Sequence, residues 1–242
     1  MVKETTIKIA DLIVLVRYNL SGCESMYEPY LAQGKPDIVA TVEEPEDLEQ
    51  ALRVTHSKPA YAESLCIYRS IAEQLPLFNR FLFHGAAISY ADKGYLFTAP
   101  SGTGKTTHIL QWRKYLGEAV RIVNGDKPIL AVENGSATVY GTPWAGKENF
   151  QRNRSVPLAG ICFVQQGKQN SICRIETAEC LMRLMRQVYL PKSEAAAART
   201  LELLDQLVRC VPLYLLTCDI SEQAVQCSFE MMTGYNFEEM KI

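Results

Sequence analysis

The chain opens on alternating apolar and polar positions. Thr5-Thr6-Ile7-Lys8-Ile9-Ala10-Asp11 and Leu12-Ile13-Val14-Leu15-Val16-Arg17-Tyr18 are rich in β-branched residues and predict two strands. The pattern lapses over 22–48, where Gly, Pro and the acidic run Glu43-Glu44-Pro45-Glu46-Asp47 read as a solvated loop or helix start rather than a metal site. Leu65, Tyr68, Ile71 and Ala72 then recur near helical spacing and predict a helix over 62–77.

From residue 79 the pattern changes. Phe81 to Tyr90 reads as one strand, Ala91-Asp92-Lys93-Gly94 as a turn, and Tyr95 to Thr98 as the returning strand of a hairpin. Ile109, Trp112 and Leu116 mark the buried face of a helix, followed by a strand at Val120 to Val123. Pro128 to Val132 and Ala137 to Tyr140 flank the turn Glu133-Asn134-Gly135-Ser136 and predict a second hairpin. Leu158 to Val164 reads as a buried strand, 176–189 and 193–209 as helices, and Val211 to Thr217 as a late strand. Asp219 with Glu222 three residues later reads as a helix start capped by Asp219. Doubly wound folds join parallel strands through helices, so hairpins here predict a mixed sheet. The expected architecture is α/β: a nucleotide-binding core over 79–242 with a hairpin-rich mixed sheet flanked by helices, and a small α+β lobe over 1–78.

Composition narrows the function. A length of 242 residues suits one large domain or one and a half. The net charge of −2 gives no electrostatic support for a nucleic-acid partner. No apolar run reaches the length of a membrane span, and the N-terminus lacks the apolar stretch of a signal peptide, which predicts a cytoplasmic protein. None of the eight cysteines forms Cys-x-x-Cys, and most lie in apolar stretches; they read as reduced, buried thiols.

The densest chemical signal is Ala99-Pro100-Ser101-Gly102-Thr103-Gly104-Lys105-Thr106-Thr107, set between a predicted strand and a predicted helix. Small residues let backbone N–H groups turn inward around a phosphate, and the helix N-terminus adds positive potential there. Ser101 to Thr107 are thus the candidate nucleotide-binding residues. Lys105 is placed to reach the β- and γ-phosphates and Thr106 to ligate Mg²⁺. Ala99 stands where the strict pattern has glycine.

Three features assemble around this loop. Asp126 closes the strand that follows the loop's helix, where an acid would hold the metal. His84 lies on the strand preceding the loop strand, so a hairpin brings its ring toward the phosphates. The polar segment 140–149 carries Lys147, a candidate for phosphate or substrate, and Glu148, a candidate metal ligand; Arg152 and Arg154 follow, with forks suited to phosphate or carboxylate.

These residues resemble the HPr kinase and phosphoenolpyruvate carboxykinase superfamily over roughly residues 80–170. The resemblance rests on His84-Gly85-Ala86-Ala87, Ser101-Gly102-Thr103-Gly104-Lys105-Thr106-Thr107 and Asn124-Gly125-Asp126. The loop is similar to that of ATP-dependent carboxykinases, whereas the Gly141-Thr142-Pro143-Trp144 segment looks more like small HPr-kinase-related serine kinases. The resemblance implies that Lys105 contacts phosphates, that Thr106 and Asp126 bind the divalent metal, and that His84 sits by the γ-phosphate or metal. It implies ATP or another nucleoside triphosphate, with Mg²⁺ or Mn²⁺, and a hydroxyl of a small molecule, peptide or protein serine as acceptor. One departure stands out. The family's first aspartate, the base for the acceptor hydroxyl, aligns through Lys127 with Gly125. Asp126, His84 or Glu148 is left for that role, or none where positioning dominates.

The leading expectation is therefore an ATP-dependent kinase. Two alternatives stand beside it. One is a carboxykinase-like enzyme, for which the chain is short and the oxaloacetate-binding arginines are not recognisable. The other is a non-catalytic ATP-binding partner in a peptide-modification cluster. The oligomeric state is not legible in the sequence.

Overall fold

Both N-terminal strands form, as β1 (Lys3–Ile9) and β2 (Leu12–Tyr18), paired antiparallel through a turn in which Ala10 and Asp11 hold positive φ. The structure is a computed structural model; it describes all residues except 1, 21, 43, 44, 56, 57 and 147. A short helix, α1 (Glu24–Tyr27), leads to β3 (Ile38–Ala40), which joins β2 in parallel. Glu43 and Glu44 of the acidic run lie outside the described residues, and helix α2 (Pro45–Thr55) begins immediately after them. Helix α3 (Pro59–Gln74) starts earlier than its apolar spacing predicts, because Pro59 is pre-organised for a first helical turn.

The expected strand Phe81 to Tyr90 is two strands, β4 (Arg80–Leu82) and β5 (Ala86–Tyr90). Three successive N–H groups leave the sheet between them: Phe83 donates to Pro128 O, His84 to Gln187 O and Gly85 to Asp126 O. That break matters below. β5 turns through Ala91 and Asp92, both at positive φ, into β6 (Lys93–Thr98). Helix α4 (Lys105–Leu116) follows, then β7 (Arg121–Asn124). β8 (Ile129–Glu133) and β9 (Ser136–Tyr140) form the second hairpin through Asn134 and Gly135.

β10 (Ser155–Gln166) is longer than its apolar run, because its first residues serve a different neighbour. Ser155 to Pro157 pair antiparallel with β9; from Leu158 the strand runs parallel to β6. β11 (Ser171–Arg174), α5 (Thr177–Met185), α6 (Glu194–Cys210) and β12 (Leu213–Cys218) follow, with β12 parallel to β10 and antiparallel to β11. The nine-stranded sheet runs β4-β8-β9-β10-β6-β5-β7, with β12 and β11 branching from β10. It is mixed, as the hairpins require. Helix α7 (Glu222–Thr233) is capped at Ser221; Asp219 sits two residues too early and instead accepts the Ser221 N–H at 2.9 Å. Helix α8 (Phe237–Met240) closes the described chain.

Alternation along β6 builds two cores. Leu96 faces Phe81, Leu130, Leu203 and Leu207, while Tyr95 and Phe97 face Ile109, Trp112 and Phe229. A third cluster joins Ile7, Val14, Tyr68 and Ile71 of the N-terminal part to Ile129 and Trp144. Among the described residues, no helix is long and apolar enough to cross a membrane.

Candidate functional site

The loop between β6 and α4 owes its shape to two glycines. Gly102 and Gly104 hold φ of 79° and 114°, and nothing stands within 4 Å of where a Cβ would sit. Backbone conformation therefore demands glycine here. Ala99 is not among the residues with positive φ, which is why alanine is tolerated there. Lys105 opens α4 and is buried; its Nζ donates to Ala99 O at 2.8 Å and to Pro100 O at 3.4 Å. Burial pushes its amine below the ordinary lysine value, against the pull of Asp126.

The loop opens onto a cavity of about 410 Å³. Ser101, Gly102, Gly104, Lys105, Thr106 and Thr107 line one side, and His84, Gly125, Asp126, Gly146 and Glu148 the other. His84, Asp126 and Glu148 thus converge on the loop from three separate segments. Thr103 lines the neighbouring cavity instead, and Lys147 lies outside the described residues. Arg152 and Arg154 do not reach the site; they line a separate pocket.

The break between β4 and β5 places His84. Its Nδ1 lies 3.0 Å from Gln187 Oε1, and its Nε2 lies 3.3 Å from Asp126 Oδ1. The other carboxylate oxygen of Asp126 accepts from Lys127 Nζ. Burial would raise the Asp126 carboxyl, but the His84 bond and the Lys127 charge outweigh it and hold the group well below the usual carboxylate range.

Asn124, buried at the end of β7, shapes this turn. Its Oδ1 accepts the N–H groups of Asp126 at 2.9 Å and Lys127 at 2.8 Å, while its Nδ2 donates to Thr142. Thr142 Oγ1 and Tyr68 OH both donate to Lys127 O. Trp144 then stacks on Tyr68 with ring centroids 4.0 Å apart and donates to Ser64 O. Helix α3 thereby fixes both the Asp126 turn and residues 142–144.

The 141–148 segment also accounts for Gly125. A Cβ there would lie 2.6 Å from Ala145 O and 3.1 Å from Phe150 Cβ. The segment fills the space into which an acid at 125 would project. In exchange it brings Glu148: Glu148 Oε2 and Asp126 Cγ each lie 3.5 Å from where a Cβ on Gly146 would sit.

Asn124, Lys127 and Gln187 were not singled out as site residues. Asn124 had a legible signal, since Asn-Gly-Asp favours a turn in which the asparagine side chain bonds its own backbone two residues on. Gln187 had none, lying 103 residues from His84.

A larger cavity of about 550 Å³ lies across the loop, lined by Gly102, Gly104, Thr107, Gln111, Val164 and Ile220 among others. His108 borders it but belongs to the core. Its Nε2 receives the Trp112 indole N–H and lies 2.9 Å from Ser228 Oγ, and burial pushes its ring down to about 4.

Fold and site together define a mixed α/β protein whose glycine-rich loop, histidine and two carboxylates share one cavity. The chain belongs to the family of SynChlorMet cassette protein ScmC, which it matches over residues 60–226. Among solved structures it is similar to the Hpr(Ser) kinase/phosphatase from Coxiella burnetii. That likeness has a TM-score of 0.36 and 12% identity, and covers 64% of this chain and 93% of that one. No curated protein matches the chain.

Proposed function

We propose that this protein is an ATP-dependent phosphotransferase acting on a hydroxyl of a small molecule, peptide or protein serine. One observation carries the reading: the loop 101–107 and the side chains of His84, Asp126 and Glu148 line one cavity. Loop N–H groups and the Lys105 ammonium hold the β- and γ-phosphates. The nucleoside extends into the adjoining cavity of about 550 Å³, which shares Gly102, Gly104 and Thr107 with the phosphate side.

The donor set Thr106 hydroxyl, Asp126 and Glu148 carboxylates is all hard oxygen and suits Mg²⁺ or Mn²⁺. When bound, such an ion offsets charge on the transferring phosphoryl group. The bond between the γ-phosphorus and the β,γ-bridging oxygen breaks, ADP leaves, and the acceptor oxygen takes its place on phosphorus. The His84 bond and the Lys127 charge hold the Asp126 carboxylate in its charged form. His84 Nε2 faces Asp126 Oδ1 and Nδ1 faces Gln187 Oε1, so the ring positions the Asp126 carboxylate, and the acceptor proton passes to the transferred phosphoryl oxygens in a loose transition state.

The test is incubation with γ-labelled ATP, Mg²⁺ and candidate acceptors, above all products encoded in the same cassette, which the family's description suggests. Lys105→Ala is expected to slow transfer about 100-fold or more. An unchanged rate would remove Lys105 from the phosphate site. A second reading, a non-catalytic nucleotide-binding partner, is favoured by the filled space at Gly125 and by the Lys105 amine bonding its own loop. Tight ATP binding without turnover on any cassette product would establish it.

A further inference from the structure

The pocket holding Arg152 and Arg154 lies outside the proposed phosphate site. Its volume is about 310 Å³, and Arg113 and Arg121 complete its walls. Four arginines thus converge with a single acid, Glu118, among the lining residues. Arg113 pairs with Glu118 at 2.8 Å, and Arg152 donates to Gln151 O. Among the described residues, the Arg121 and Arg154 guanidinium groups make no hydrogen bond or ion pair. This concentration of positive charge sits on a chain of net charge −2, so it is local rather than a reflection of overall basicity. Guanidinium forks match carboxylates in geometry as well as charge.

The pocket also lies on a sheet edge. β7 ends the sheet: it pairs with β5 on one side and, among the described residues, is bridged on the other only at Asn124, by Gln151. Arg121 and Ile122 line the pocket on this free stretch. An edge strand presents backbone groups to an extended chain. We propose that this edge docks an extended acidic peptide segment, with Arg121, Arg152 and Arg154 holding its carboxylates.

The docking stands without phosphoryl transfer; what rests on the proposed function is the register. β7 runs from Arg121 to Asn124, about 10 Å of extended chain, and there Gln151 bridges it and the turn to Asp126 begins. A segment seated on Arg121 therefore leaves the edge at Asn124, two residues from Asp126, and a residue about four positions from the acid comes nearest the Asp126–His84 pair. The acceptor class this favours is a peptide whose hydroxyl lies that far from an acidic anchor.

The experiment is fluorescence anisotropy, without nucleotide, using two labelled peptides. One carries three consecutive Glu four residues from a Ser; in the other the Glu are Lys. The Glu peptide is expected to bind and to weaken with salt, and the Lys peptide not to bind. Arg121→Glu and Arg152→Glu, both at exposed positions, are each expected to weaken the Glu peptide about tenfold or more. Thermal melting verifies the fold of both variants, and a fluorescent ATP analogue is expected to bind Arg121→Glu as tightly as the parent. Equal binding of both peptides, or unchanged affinity in both variants, would overturn the proposal. So would displacement of the Glu peptide by inorganic phosphate or an oligo-dT strand at lower concentration, which would mark a general anion or nucleic-acid site. Because no ATP is present, loss of docking leaves the kinase reading standing, and absence of transfer leaves the docking standing.

Discussion

At the scale of single residues, Gly125 marks a position where packing leaves no room for a side chain. An aspartate there meets Ala145 O and Phe150, so Gly125→Asp is expected to lower the melting temperature and bring no gain in transfer rate. A faster, equally stable variant would show that the position tolerates an acid. His108 sets an acid sensitivity of a different kind. Its folded-state value of about 4 lies below the free value of about 6.5 because burial disfavours the charged ring. The unfolded chain therefore takes up a proton that the folded chain refuses. The stability this contributes is fully present above about pH 6.5 and is lost toward pH 4, at up to about 1.4 kcal/mol per pH unit. Denaturant titrations between pH 7 and 4 are expected to show that slope in the parent and to lose it in His108→Gln. Much of the site was legible at this scale: the glycines of the loop, Lys105, Thr106 and Asp126 follow from residue type and spacing. Gln187 was not, because only folding brings an unmarked glutamine to a histidine far away in sequence.

At the scale of elements, the hairpins were legible because their turns announce themselves. Asn134-Gly135 supplies the positive φ values that such turns need. The break at Phe83–Gly85 was not, since an apolar run carries no mark of where its backbone groups will find partners. That break delivers His84, whose place therefore depends on Asp126 and Pro128 in one other segment and Gln187 in a second. Trp144 shows the same dependence. It is fully buried, stacked on Tyr68 and bonded to Ser64 O. Trp144→Ala is expected to cost about 3–5 kcal/mol in denaturant unfolding. It should also free Glu148 and open the space beside Gly125. Unchanged stability would mean that α3 does not hold residues 142–144.

At the scale of the whole molecule, the N-terminal residues bear on the site they do not line. They cover Ile129 and Trp144 with Ile7, Val14 and Tyr68, and Tyr68 anchors the turn after Asp126. A chain beginning at Asn79 exposes that cluster and loses the Tyr68 and Ser64 contacts. It is expected to melt without cooperativity and to bind the fluorescent ATP analogue more weakly. Cooperative melting with full affinity would show that residues 1–78 are dispensable to the proposed nucleotide site. The sequence by itself determined the mixed sheet, the strand–loop–helix unit and the residue types able to meet phosphate and metal, because periodicity, turn chemistry and glycine requirements are local. Only the tertiary structure decided which of these residues share a cavity. It joined His84, Asp126 and Glu148 to the loop, closed the space at Gly125, and sent Arg152 and Arg154 to the far edge of the sheet. Those outcomes depend on hydrogen bonds and packing between segments distant in the chain, which no local pattern encodes.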